Sequence, residues 1–168
     1  MKGRTSASRG QTLVEFALIL PIMVGMLVGA FDLGRVVFAN DLVSYAAREA
    51  ARYAVVHGGS PLTTGWCPVG PLDPDLTAPA PSASCPNPSP STEMVKQVAR
   101  NFAAAGGVSV TVEVCYGTGC TGNTSTATNK RGTEVTVTVR GTVTSVAGSF
   151  IGVTSFAVSS TSTMLVNN

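Results

Sequence analysis

The sequence predicts an α+β chain in which a long helix is followed by a short helix and a small antiparallel sheet of about three strands. Two observations predict this order. An apolar run near the start continues as an alanine-rich helical pattern, with no proline between Pro21 and Pro61. After Gly106 the hydrophobic period then changes from about 3.6 residues, typical of a helix, to about 2, typical of a strand.

The apolar run can cross a membrane. Residues 13–31, LVEFALILPIMVGMLVGAF, contain one charged side chain, Glu15. With Gln11 and Thr12 the run reaches about 21 residues, enough for a helix to span about 30 Å of hydrocarbon. Three basic residues precede it: Lys2, Arg4 and Arg9. Such a bias keeps an N-terminus in the cytoplasm, so we expect a single-pass protein whose C-terminal part is exported.

The helical pattern does not end with the apolar run. A cleaved secretory signal is the alternative, since Val28-Gly29-Ala30 has the small residues of a cleavage site. Glu15 interrupts such a signal, however, and the pattern continues far beyond it. We therefore expect residues 1–10 on the cytoplasmic side, followed by one helix from about residue 12 to about residue 56. This helix forms a transmembrane and amphipathic stem over 11–57.

One side of the stem carries small apolar residues: Val36, Val43, Ala46, Ala47, Ala50 and Ala54. This side packs either on the chain's own C-terminal domain or on a partner subunit. Residues 58–91 hold nine of the ten prolines and predict a long loop. The exported α+β domain occupies 92–168, where Ser91 or Thr92 can cap a short helix that stops at Gly106.

The strands follow from alternating valines and polar residues. The first strand contains Val108, Val110, Val112 and Val114, and the second contains Val135, Val137 and Val139. The third strand is expected within SFAVSSTSTMLV, residues 155–166. The valine face of the sheet should pack against the stem and the short helix.

The four cysteines, Cys67, Cys85, Cys115 and Cys120, all follow the apolar run. An even number in an exported chain predicts two disulfides. Spacing favours Cys67 with Cys85 and Cys115 with Cys120, because each pair closes a local loop. A four-cysteine zinc site and free thiols are the alternatives, but the Cys67 to Cys85 gap does not suit zinc. We expect no metal.

Composition and motifs argue against an enzyme and against a nucleic-acid-binding protein. Eleven Lys and Arg against nine Asp and Glu give a net charge of +2, with no basic stripe for phosphates. His57 is the only histidine, and no motif places a nucleophile or acid beside it. We therefore expect no cofactor and no small-molecule substrate.

A family resemblance begins at the leader. Gly10 followed by Gln11-Thr12-Leu13-Val14-Glu15-Phe16, after the short basic leader MKGRTSASRG, resembles the prepilin processing motif of type IV pilins. Over about 50 residues the chain looks like a TadE-like pseudopilin, a minor pilin of the tight-adherence pilus system. The proline in the span, the phrase FDLGR and the alanine-rich AAREAARYA carry this match.

The resemblance implies a pilin-like fold and a structural role in assembling a type IVb, Tad-like pilus. It implies cleavage by a prepilin peptidase between Gly10 and Gln11, and methylation of the new amine on Gln11. Glu15 would pair with the N-terminal ammonium of a neighbouring subunit; the alternative is that Glu15 snorkels to the headgroups.

The partners implied are the prepilin peptidase, other pilin subunits, the pilus assembly machinery and membrane lipid. The implied location is the inner membrane, or the cell surface within a pilus. The alternative function is a membrane-anchored or secreted surface-binding module, similar to an adhesin, that uses the Pro-rich loop or the Thr-rich sheet.

Overall fold

The computed structural model describes residues 7–58, 69–71, 92–120, 122–148 and 152–167. Within these residues two helices precede three strands. They are α1 (Ala7–Val56), α2 (Glu93–Ala105), β1 (Val110–Tyr116), β2 (Glu134–Thr144) and β3 (Ser155–Leu165). The strands form one antiparallel sheet in the order β1-β2-β3. The predicted α+β class and the order of its elements are confirmed.

Helix α1 begins five residues before the predicted start and so includes the last four residues of the expected leader. Residues 7–10 contain no proline, and a change from apolar to polar side chains does not by itself end a helix. The helix ends at Val56, as predicted. Just beyond it the His57 ring stacks on Tyr53 at 4.0 Å, with Nδ1 2.9 Å from the Tyr53 carbonyl oxygen.

The C-terminal half of α1 packs on the sheet through small side chains. Its fully buried positions are Val43, Ala46, Ala47, Ala50, Ala51 and Ala54. All of these except Ala46 share one core with Val114 of β1 and with Val135, Val137 and Val139 of β2. Because alanine is short, the helix backbone can approach the strands closely. Of the two roles expected for this side, the structure shows packing on the chain's own domain.

Helix α2 buries Val95, Ala99 and Ala103, and Phe102 meets Tyr45 of α1 edge to face at 5.5 Å. Thr92 occupies the N-cap position, but its side chain makes no capping hydrogen bond, so that expectation is wrong for Thr92; Ser91 lies outside the described residues. Glu93 instead accepts a hydrogen bond from Lys96 at 2.8 Å in the first turn. This bond lowers the pKa of the exposed Glu93 carboxyl.

The end of α2 uses two glycines for different reasons. Gly106 is the C-cap, as predicted, but its φ is −99° and needs no glycine. A Cβ there would overlap the Leu42 side chain, so Gly106 allows α2 to approach α1 closely. Gly107 adopts the left-handed conformation, with φ +70°, that turns the chain into the sheet.

The sheet has one apolar face and one hydroxyl-rich face. Strand β2 alternates its buried valines with Thr136 and Thr138. On the outer face Thr136 pairs with Thr163 at 3.1 Å, and Thr138 pairs with Thr161 at 3.0 Å. The alternation predicted from the sequence therefore sets which face meets the helices.

The β1–β2 connection contains a disulfide between Cys115 and Cys120, with Cα atoms 6.1 Å apart. This is the pairing that the spacing favours for these two cysteines, and its Cα separation is ordinary for a disulfide. The expected pairing of Cys67 with Cys85 lies outside the described residues.

Residues 69–71 dock on the same end of the sheet. The Val69 carbonyl accepts hydrogen bonds from Asn129 Nδ2 at 2.9 Å and from the Tyr116 hydroxyl at 3.4 Å. Burial raises the pKa of the Tyr116 hydroxyl well above its ordinary value, so it remains a donor. Gly70 passes so close that a Cβ would lie 2.5 Å from the Tyr116 ring. This part of the Pro-rich segment is therefore bound to the domain.

Replacing Ala50 by leucine should destabilise the domain. Ala50 is 0 % exposed in the shared core, and overpacking of this kind costs about 1–3 kcal/mol. Urea unfolding of the full chain in detergent would measure the free energy of unfolding. Ala104→Leu in α2 is the matched control, since Ala104 is exposed. Equal stability of the two variants would contradict the close packing of α1 on the sheet.

Candidate membrane anchor and its link to the sheet

The N-terminal half of α1 has its apolar side chains uncovered. Between residues 10 and 31 every residue is exposed except Val28 and Gly29, which are half-buried. Among the exposed side chains are Phe16 (59 %), Ile22 (62 %) and Met26 (73 %). In length and composition this part of the helix can cross a membrane. The structure therefore suggests a membrane anchor, as the sequence predicts.

The predicted processing and pairing residues lie together near the start of this helix. Gly10, Gln11 and Glu15 are all exposed. Gln11 lies one turn before Glu15, and its Nε2 is 3.4 Å from Glu15 Oε1. That contact is long and its donor is neutral, so it leaves the charge of the carboxylate uncompensated.

Pro21 lies inside the anchor without ending the helix. Because proline has no N–H, it cannot donate to the carbonyl of Ala17 one turn earlier. Membrane helices tolerate such a residue where neighbouring groups satisfy the freed carbonyl.

Asp32 links the anchor to the sheet. It is the first residue after the apolar run, and it is 7 % exposed. Its Oδ2 accepts hydrogen bonds from Ser145 Oγ at 2.7 Å and from the Ala147 backbone N–H at 2.6 Å. The backbone N–H of Val146 is a further donor to the same carboxylate. All three donors come from the turn that follows β2, so Asp32 holds this turn against α1.

An open apolar groove of about 1170 Å³ lies beside this link. One wall is α1 from Leu20 to Val36, and the other is formed by the turn after β2 together with Phe156. Asp32 lies at the junction of the two walls. The groove is thus an extension of the anchor's exposed surface, bounded on one side by the sheet.

The described part of the chain contains no cluster of metal-ligand side chains. Among residues 7–58, 69–71, 92–120, 122–148 and 152–167, no three His, Cys, Asp or Glu side chains could hold a metal ion together. Cys115 near the end of β1 and Cys120 after it are bonded to each other.

The comparison with known families agrees with this geometry. Residues 10–52 match the TadE-like protein family. The resemblance of the N-terminal sequence to this family is confirmed. The TadE-like match includes Gly10, Gln11, Glu15 and Asp32, and it ends within the part of α1 that packs on the sheet. The match covers 43 of the 168 residues, all of them within α1. No curated protein and no solved structure matches the chain.

Sequence reasoning does not identify the role of Asp32. The phrase FDLGR lies within the residues that match the TadE-like family, but the sequence assigns no partner to its carboxylate. One signal is available: an acidic residue directly after a membrane span is costly to bury unless donors face it. Those donors, however, are 113 and 115 residues away in the chain.

Replacing Asp32 by asparagine should loosen the turn after β2. The neutral amide accepts weaker hydrogen bonds than the carboxylate, so the Ala147 amide should exchange with solvent roughly tenfold faster. Hydrogen exchange of the full chain in detergent, read by NMR, measures this rate. Asp41→Asn removes an exposed carboxylate from the same helix and should leave the Ala147 rate unchanged. Unchanged exchange in Asp32→Asn would rule out the proposed link.

Proposed function

We propose that this chain is a structural minor pilin or pseudopilin, anchored in the cytoplasmic membrane by α1, that takes part in assembling a Tad-like type IVb pilus. A prepilin peptidase cuts between Gly10 and Gln11 on the cytoplasmic side. The observation that carries the proposal is Glu15, an exposed carboxylate on the apolar anchor of a TadE-like helix, at the fifth position after Gly10.

The cost of burying Glu15 supports its role as a subunit contact. An unpaired carboxylate at the centre of a bilayer costs about 2.5–3.5 kcal/mol on insertion scales. Gln11 offers it only a neutral donor at 3.4 Å. The N-terminal ammonium that cleavage creates on Gln11 of a neighbouring subunit supplies the missing positive charge. Cleavage thus produces the partner that Glu15 lacks.

This pairing has a geometric consequence. Gln11 and Glu15 are four residues apart, which is about 6 Å along a helix. For the ammonium of one subunit to reach the carboxylate of the next, the two helices must be staggered by about this distance. Pairing then sets the axial register of neighbouring subunits as well as neutralising the charge.

The surroundings of Gly10 suit cleavage. A Cβ placed on Gly10 would have no atom within 4 Å, so nothing in the described structure crowds the scissile bond. The bond lies only four residues inside α1, where helix ends fray readily, and glycine weakens the helix further. The first turn can therefore unwind into a peptidase site at small cost.

The role is structural rather than enzymatic. TadE-like proteins resemble pilins. In this proposal the Glu15 carboxylate pairs with a neighbouring subunit, and the Asp32 carboxylate binds the turn after β2 of its own chain. Its partners are the prepilin peptidase, other pilin subunits and lipid. Methylation of the Gln11 amine would keep its positive charge and so preserve the pairing.

Processing predicts a mature chain that begins at Gln11. Intact-mass measurement of the protein purified from its native host should show loss of residues 1–10, with or without one added methyl group. Gly10→Ala should slow or abolish this cleavage, while Gly34→Ala, a glycine of the same helix with open space around it, should be processed normally. An uncut Met1, or a start at Phe31, would contradict the assignment.

Removing the Glu15 carboxylate should block assembly without affecting insertion. Glu15→Ala and the near-isosteric Glu15→Gln should both fractionate with membranes, since each makes the helix more apolar. Both should be lost from sheared pili, as judged by immunoblotting. Glu49→Ala, which removes a carboxylate from the C-terminal half of the same helix, is the control. Normal incorporation of Glu15→Gln would exclude a charge-dependent pairing.

A further inference from the structure

The hairpin that joins β2 to β3 is apolar and uncharged. Its described residues, 145–148 and 152–156, are called the hairpin tip below. Three of its large side chains are exposed: Val146 (54 %), Phe156 (39 %) and Val153 (38 %). No Asp, Glu, Lys, Arg or His occurs in the sequence after Arg140. A soluble turn usually carries polar or charged side chains, so this composition needs an explanation.

The hairpin tip lies beside the membrane anchor and not away from it. It forms one wall of the apolar groove, and the opposite wall includes Val24, Val28 and Gly29 of α1. Val28 and Gly29 are the half-buried positions in an otherwise exposed run. Val28 is four residues before Asp32, about 6 Å nearer the N-terminus along the helix. The tip therefore extends past Asp32 to the level of the anchor's last turns.

We propose that the hairpin tip is a second membrane contact, which enters the interfacial layer of the bilayer beside α1, with lipid acyl chains filling the groove. This inference rests on the proposed insertion of α1. Its main support is continuity, because the helical wall of the groove is the anchor's own exposed apolar surface. Lipid that covers Val24 and Val28 on the anchor necessarily reaches Val146 and Phe156 across the groove.

The depth fits an interfacial position. Apolar groups of membrane-surface segments are buried about 5–10 Å into the boundary between headgroups and acyl chains. The displacement of about 6 Å between Asp32 and Val28 falls in this range. Asp32 itself then lies at headgroup height, where its carboxylate and its donors from the turn remain close to water.

Several backbone groups of the hairpin tip have hydrogen-bond partners within the protein, as a medium of low polarity requires. An N–H or C=O without a partner is costly there, so irregular backbone needs internal hydrogen bonds. The Ser145 N–H donates to the Thr154 carbonyl at 3.0 Å, and the Val153 N–H donates to the Gly148 carbonyl at 2.8 Å. The Gly148 N–H donates to Ser145 Oγ at 2.7 Å. The Ala147 N–H donates to the Asp32 carboxylate.

Depth-dependent fluorescence quenching tests the proposal on the full chain. Trp66 is the single tryptophan of the sequence, so it is first replaced by phenylalanine. In this Trp66→Phe background one variant then carries a tryptophan at Val146 and a second variant carries one at Val153. Each protein is reconstituted in phosphatidylcholine–phosphatidylglycerol vesicles that carry a spin label near the headgroup or near the end of the acyl chain. Ile22→Trp reports insertion of the anchor. Thr118→Trp, exposed in the β1–β2 connection at the opposite end of the sheet, is the matched control.

The shallow label should quench Val146→Trp and Val153→Trp by about half or more, and the deep label should quench them less, as expected for an interfacial position. Thr118→Trp should be quenched by neither label, and Ile22→Trp most strongly by the deep label. Far-UV circular dichroism identifies a variant that has not folded, in which case the other variant provides the result.

Three results would overturn the inference. If Ile22→Trp is quenched while both tip variants behave like Thr118→Trp, the tip is outside the lipid although the anchor is inserted. If Ile22→Trp is not quenched, the proposed membrane anchoring fails and the inference with it. If both tip variants are shielded from the labels at a low lipid-to-protein ratio and are quenched only when the protein is diluted with lipid, a second copy of the chain fills the groove wherever copies meet, and lipid does not.

Discussion

Helix α1 has two different surroundings along its length: its N-terminal half is uncovered, and its C-terminal half packs on the sheet. The arrangement of the other elements depends on this difference. Up to Phe31 most of its exposed side chains are large and apolar, and apolar area left in water costs about 25 cal/mol per Å². From Ala39 onward its buried side is nearly all alanine, which offers little area but lets a sheet come close. The first part therefore favours lipid, and the second part favours the valine face of the chain's own strands.

Asp32 lies where these two surroundings meet, and its hydrogen bonds make the junction specific. A helix face of alanines alone would allow the sheet to slide by one turn at little cost, because small side chains interlock weakly. The carboxylate accepts only where Ser145 and Ala147 reach it. It thereby ties the position of the sheet along α1 to the end of the apolar run.

The elements of the fold can be predicted from the sequence because their signals are local, whereas the contacts between elements cannot. The alternation of valine and threonine in β2 needs only a few residues to indicate a strand and its inner face. The Gly10 to Glu15 spacing is equally local, and the resemblance of residues 10–52 to the TadE-like family is visible in the sequence alone. By contrast, the need for Gly106 beside Leu42 follows only once α2 lies against α1. The docking of Val69 likewise depends on side chains 47 and 60 residues away.

The outer face of the sheet, like the anchor, carries few charged side chains. Its hydroxyls form two cross-strand pairs, Thr136 with Thr163 and Thr138 with Thr161, while Arg140 and Glu113 approach each other at 3.7 Å. Paired hydroxyls cost less to desolvate than isolated charges, and they do not repel their counterparts on identical neighbours. In a subunit that packs beside copies of itself, a sheet of this kind can be covered in several orientations without burying an unpaired charge.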